Sequence, residues 1–129
     1  MKKTGGKTPS HKETKTEKQI KKLLHDFGDD LAHVTVLDPA CGSGNVLYVA
    51  LHLLLDLNKE VVSFASKVGL GMFPQVNPTQ LLGIEINPYA AELAQVVIWI
   101  GYLQWMHDNG FTPNPDPVLH DFQTIQQQD

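Results

Sequence analysis

Ile20, Leu23, Leu24 and Phe27 recur at i, i+3, i+4 and i+7 and draw one apolar stripe along a helix. Gly28 follows where helices commonly end, so the pattern predicts a first helix over 13–27. Residues 33–37, HVTVL, form a short β-branched run that Asp38-Pro39 closes, and they read as a buried strand. Cys41-Gly42-Ser43-Gly44 is a turn that only small residues fit. Apolar positions return at helical spacing in Val46, Val49, Ala50, Leu53, Leu54 and Leu57, which predicts a second helix from Asn45 to about Ser66.

Residues 67–80 carry two glycines and two prolines without a period and read as a loop or an insertion. A second strand is predicted over 81–86. Asn87-Pro88 then supplies a helix N-cap and a proline at the first helical position. The third helix, 88 to about 107, ends at Asn109-Gly110 and is apolar around most of its circumference, so it is expected to lie buried between other elements. A proline-rich connection leads to a weak third strand over 122–126. Helices alternate with strands, which implies βαβ units and an α/β fold with a mainly parallel sheet. Ligands of such sheets bind at the carboxyl ends of the strands, and the segments 38–45 and 85–88 occupy two such ends.

Composition refines this picture. The 129 residues, 42% hydrophobic and 19% charged, allow one globular domain at most. Charge is unevenly placed: residues 1–22 hold eight lysines against two glutamates, a net of +6. Residues 23–129 hold two lysines against twelve acids, a net of −10, and arginine is absent throughout. The body is therefore not a basic nucleic-acid clamp, and residues 1–12 are expected to be a disordered basic tail ahead of a domain over 13–129. No apolar run is long enough for a membrane span or a secretory signal, and the single cysteine, Cys41, cannot close an internal disulfide, so a reducing cytoplasm is expected. The six histidines show no ligand spacing, and no metal is expected. Trp99 and Trp105, six apart on a helix, read as core or interface residues, and Lys21 and Lys22 as surface charges.

The chemistry concentrates in Asp38-Pro39-Ala40-Cys41-Gly42-Ser43-Gly44-Asn45. A dinucleotide loop would want Gly or Ala where Leu47 stands, so that fingerprint fails. The remaining ligand class is a small zwitterionic nucleoside. A strand-tip acid, Asp38, can face its ammonium, backbone amides its carboxylate, and an acid on the neighbouring strand tip, Glu85, both hydroxyls of a ribose. S-adenosylmethionine has this chemistry.

VLDPACGSGN resembles the S-adenosylmethionine motif of amino-methylating DNA methyltransferases, and LLGIEINPYAAELAQVVIWIGYLQW resembles the following segment of the MmeI-like group, type II restriction–modification enzymes that methylate adenine at N6. The resemblance runs from about Lys18 to the last residue. It implies a Rossmann-like class I methyltransferase fold, incomplete, with about three parallel strands and flanking helices. It implies that Asp38, Ala40, Gly42 and Gly44 form the loop around the methionine part of the cofactor; Cys41, counted with that loop, has no paired base near it and reads as a packing residue rather than a nucleophile. Asn45 and Val46 follow; the family more often has phenylalanine in place of Val46, a loss of apolar cover. Glu85 would hold the ribose hydroxyls, Ile86 or Asn87 would lie against the adenine, and Asp129 would meet the adenine amino group.

The family's catalytic Asn-Pro-Pro-aromatic motif is absent. Asn87-Pro88-Tyr89 is one proline short and reads as an N-cap, and Asn77-Pro78 and Asn114-Pro115 lack the aromatic residue. No target-recognition or nuclease region has a counterpart. The implied partner is duplex DNA, reached only with the missing C-terminal methyltransferase and target-recognition parts. The chain alone is expected to be inactive. The alternative is a non-catalytic cofactor-binding remnant, or a subunit completed by a separate chain. Three strands and three helices cannot cover both faces of a sheet, so a bare apolar patch or self-association is expected.

Overall fold

The structure is a computed structural model that describes residues 12–113 and 125–128. Helix α1, Lys15–His33, opens on a capping box: the Glu17 amide donates to Thr14 Oγ1 (3.2 Å) and the Thr14 amide to Glu17 Oε2 (2.9 Å). Strand β1, Val36–Asp38, follows, then α2, Asn45–Lys67; a single 3-10 turn, Pro78–Gln80, leads into β2, Leu81–Glu85. Helix α3, Pro88–Asp108, and strand β3, Ile125–Gln127, complete the order. The first part of the third strand expected over 122–126, and all but Lys12 of the expected basic tail, lie outside the described residues.

The three strands are parallel in the order β1-β2-β3. Right-handed crossovers between successive parallel neighbours put both connecting helices on one face. Along the strands Val36, Leu81, Gly83 and Ile125 turn toward that helical layer, where Leu47, Leu51, Leu55 and Ile98 are fully buried. Among the described residues nothing packs over Leu37 and Leu82 on the other face. Leu37 and Leu82 stand opposite each other in register, 57% and 38% exposed. A second apolar stripe, Val46, Val49, Leu53, Leu57 and Phe64, stays exposed along α2. The expected apolar patch is therefore present in two places.

Three expectations need correction. The first helix does not stop at Gly28 but continues to His33. Gly28 is buried, and a Cβ built there would fall 2.7 Å from Met72 Cε. The glycine admits a neighbour rather than ending a helix. Because the helix takes in His33, the first strand starts later, at Val36. The third helix is not covered all round: Trp99 and Trp105 are buried, yet Leu93, Val96 and Ile100 are exposed.

Two buried polar side chains tie the connections. Asn58 Oδ1 accepts from the Gln75 and Val76 amides (2.8 and 3.1 Å) and fixes the segment before β2. Gln80 Nε2 donates to the carbonyls of Leu31 and Val34 (2.7 and 2.8 Å), while its Oε1 accepts from the Asn77 amide (3.0 Å), so it joins the end of α1 to the start of β2. Among the described residues no helix is long and apolar enough to cross a membrane.

Candidate functional site

Parallel pairing sets Asp38 opposite Gly83, two residues short of Glu85, so the carboxylates of β1 and β2 end at the same edge of the sheet. Both ends open into the loop that starts α2. Three successive amides of this loop are each held by a strand end. Ala40 N donates to Asp38 Oδ1 (3.1 Å), Cys41 N to the Ile84 carbonyl (3.0 Å), and Gly42 N to Glu85 Oε2 (2.8 Å). Gly44 N then turns back to the Cys41 carbonyl (2.9 Å), and the first helical bond of α2 runs from Tyr48 N to the Gly44 carbonyl (2.8 Å). The amides of Asn45, Val46 and Leu47 precede that bond and are the unpaired N–H groups of a helix start.

The two glycines have different reasons. Both take positive φ, +55° at Gly42 and +88° at Gly44. A Cβ on Gly44 would press on Ala94 of α3, whereas one on Gly42 would meet no atom within 4 Å. Gly44 is thus a close approach of two helices, and Gly42 borders open space beside Asp38 and Glu85. Cys41 is buried under the loop; burial pushes its thiol up, and the Asp38 and Glu85 carboxylates add to this. A protonated, covered thiol suits a packing residue and not a nucleophile.

Glu85 is the hub. Oε2 takes Gly42 N and Oε1 takes Asn87 N (3.0 Å). Those bonds, the one from Asn87 first and the one from Gly42 second, hold the carboxyl below its usual value. Asn87 caps α3: its Oδ1 accepts from the Tyr89 and Ala90 amides (2.9 and 3.3 Å), with Pro88 at the first helical position. An acceptor oxygen spent on two helix amides leaves Asn87 poorly placed to receive a substrate amino group. Ile86 and Tyr89 flank the tip of β2, 62% and 77% exposed.

The structure therefore gathers Asp38, Ala40, Cys41, Gly42, Gly44, Asn45, Glu85, Ile86 and Asn87 at one edge. Asp129 lies outside the described residues. Two features had no sequence signal: the Gly42–Glu85 bond, which spans 43 residues, and the Gln128 amide, which donates to the Glu85 carbonyl (3.3 Å). Among the described residues no cluster of His, Cys, Asp or Glu could hold a metal ion. A cavity of about 520 Å³ lined by Phe73, Gln75, Trp99, Tyr102, Met106 and Phe111 sits at the far end of α3, away from the strand tips, and brings no charged group together.

Residues 11–112 match the family described as MmeI, DNA-methyltransferase domain. A protein of Methanocaldococcus jannaschii described as a type II restriction enzyme and methyltransferase is 30% identical over 92 residues, 65% of this chain and 7% of that protein. DNA methyltransferase A of Bacillus subtilis is 32% identical over 73 residues, 54% of this chain and 8% of its own length. Among solved structures, the Type IIL restriction-modification enzyme MmeI in complex with DNA superimposes with a TM-score of 0.69 at 28% identity, over 88% of this chain and 17% of that one. The chain thus spans less than a fifth of each of these relatives.

Proposed function

Because the chain belongs to the MmeI DNA-methyltransferase domain family, we propose that it supplies the S-adenosylmethionine-binding part of a DNA methyltransferase that modifies adenine at N6. Its three parallel strands with flanking helices are an incomplete Rossmann-like methyltransferase fold. The observation that carries the reading is the shared edge at which Asp38 and Glu85 flank Gly42 and its open space.

The donor set fits such a cofactor. Asp38 spends Oδ1 on Ala40 N and keeps Oδ2 to face an ammonium group. With the amides of residues 40–42 engaged, a carboxylate is met by the free N–H groups at the start of α2, where the helix dipole also favours an anion. Glu85 faces the ribose hydroxyls, and the exposed Ile86 side chain offers an apolar surface to a purine. When bound, the cofactor supplies a methyl group made electrophilic by the sulfonium. The residues of this chain bind it, orient it and hold the loop beneath it.

Neither Asn87-Pro88 nor the other Asn-Pro pairs continue into a second proline and an aromatic residue. On this reading the chain binds cofactor but needs added polypeptide to receive a flipped base. The bare pair Leu37 and Leu82 favours a second reading beside it, a cofactor-binding subunit whose sheet is covered by a separate chain. Isothermal titration with S-adenosylmethionine, paired with a methyl-transfer assay on duplex DNA, tests both statements. Saturable one-to-one binding without turnover is expected. Absence of binding removes the cofactor reading, and turnover by the chain alone removes the claim that a catalytic motif is lacking.

A further inference from the structure

We propose that Glu85 is a positioning residue as well as a ribose ligand: its bond to Gly42 sets the loop for the amino-acid end of the cofactor and persists when the ribose arrives. The inference rests on the cofactor reading above. The Glu85 carboxylate has two oxygens and about four acceptor positions. Gly42 N occupies one on Oε2 and Asn87 N one on Oε1, while the Ile86 amide acts on the carboxylate more weakly and without a bond of that geometry, so one position remains on each oxygen. That is the number a vicinal diol needs. Ribose binding therefore does not compete with Gly42 for the carboxylate.

The Gly42 amide also has no other described acceptor, since its neighbours Ala40 N and Cys41 N are held separately by Asp38 and Ile84. Removing the carboxylate frees the Gly42 amide at a left-handed φ of +55°, beside open space, and leaves only the Gly44–Cys41 turn and the long Cys41 Sγ contact to the Gly42 carbonyl (3.7 Å) to shape that residue. The same side chain then governs both ends of the ligand. One contact is direct, to the nucleoside; the other acts through the loop, on the amino acid.

The test uses the intact chain in three forms: unaltered, Glu85→Gln and Glu85→Ala. Amide exchange at Gly42 is measured without ligand, with the buried Leu51 amide as a control for global folding. S-adenosylhomocysteine and its 2′,3′-dideoxy analogue are then titrated into each form. In Glu85→Ala, Gly42 exchange is expected to rise about tenfold or more, the scale of a lost bond to a charged acceptor, with Leu51 unchanged. The dideoxy ligand, which has no diol to offer, is still expected to bind Glu85→Ala at least about fivefold more weakly than the unaltered chain, on the same scale. Glu85→Gln retains one carbonyl oxygen, enough for Gly42 or Asn87 but not both, and is expected to keep protection at one of these two amides while losing the preference for the ribose ligand over its dideoxy form.

Unchanged Gly42 exchange in both variants, or equal affinity of the dideoxy ligand for the unaltered chain and Glu85→Ala, overturns the positioning role and leaves Glu85 a ribose contact. If Glu85→Ala fails to fold, Glu85→Gln decides: its single carbonyl oxygen cannot serve both amides, so faster exchange at Gly42 or Asn87 is expected, and unchanged exchange at both overturns the positioning role. If no form binds either ligand, the cofactor reading fails, and the exchange measurement still judges the Gly42 bond by itself.

Discussion

Gly44 and Ala94 meet where the head of α2 crosses α3: a Cβ built on Gly44 falls 3.0 Å from the Ala94 Cβ and 3.1 Å from its Cα. The atoms met are the Cβ and main chain of Ala94, which have no rotamer by which to yield. It places the glycine loop directly on the helix that carries Asn87 at its head, and so links the two segments of the site through packing as well as through Glu85.

Gly44→Ala is therefore expected to destabilise the fold by about 2–4 kcal/mol, from a left-handed φ added to an overpacked contact. Gly42→Ala meets the φ cost alone, about 1–2 kcal/mol, because its Cβ would enter open space. That space is where the cofactor reading places the ligand, so Gly42→Ala is expected to lose cofactor affinity out of proportion to its stability. Urea melts and titration calorimetry on the two variants separate these effects.

The depressed pKa of Glu85 gives a pH dependence with a definite sign. The carboxyl is held below its usual value of 4.5 by the amides of Asn87 and Gly42. A group with a lower pKa folded than unfolded contributes stability above the unfolded value and loses it as pH falls through the folded one. Loop order and cofactor affinity are expected to be constant at neutral pH and to decline only below about pH 4.5. In Glu85→Gln this acid-limb change at Gly42 is expected to vanish. An NMR pH titration of the Gly42 amide checks it.

Asn58 is almost wholly buried, and its Oδ1 serves two amides of the segment before β2. Asn58→Leu leaves the Gln75 and Val76 N–H groups without that acceptor, at a cost of about 2–4 kcal/mol. The segment 68–77 is expected to become the first site of limited proteolysis, while circular dichroism still reports folded helices.

The bare sheet face predicts the opposite kind of result. Leu37→Lys combined with Leu82→Glu places opposite charges across a register pair that faces away from the helices. Stability is expected to change by less than about 1 kcal/mol. Dye binding and concentration-dependent sedimentation are expected to fall; unchanged values would show that the apolar face is not what drives association.

Much of this architecture is legible in the chain because apolar spacing and punctuation agree. The second helix is expected to about Ser66 and ends at Lys67, and Asn87-Pro88 announces α3 by cap chemistry that the structure shows. Gly28 misleads because sequence does not distinguish a glycine that ends a helix from one that admits Met72. Residues 67–80 read as featureless, yet Asn77 and Gln80 form a capping box there, and Gln80 reaches 49 residues back to Leu31. The strand-tip acids are visible as a motif, but the Gly42–Glu85 bond depends on the parallel register of β1 and β2, which no local pattern encodes.

That register makes β2 a ruler. From Leu81, pinned beside Gln80, five residues count up to Glu85. An insertion or deletion of one residue inside this span would turn Glu85 to the opposite side of the sheet and bring a main-chain neighbour to Gly42 in its place. Length changes in 68–77 do not alter the count, since they lie upstream of the pin. Relatives of this chain should therefore vary in length over 68–74, ahead of the amides that Asn58 holds, and keep a fixed spacing from Gln80 to Glu85, a pattern of gaps that can be read without any assay.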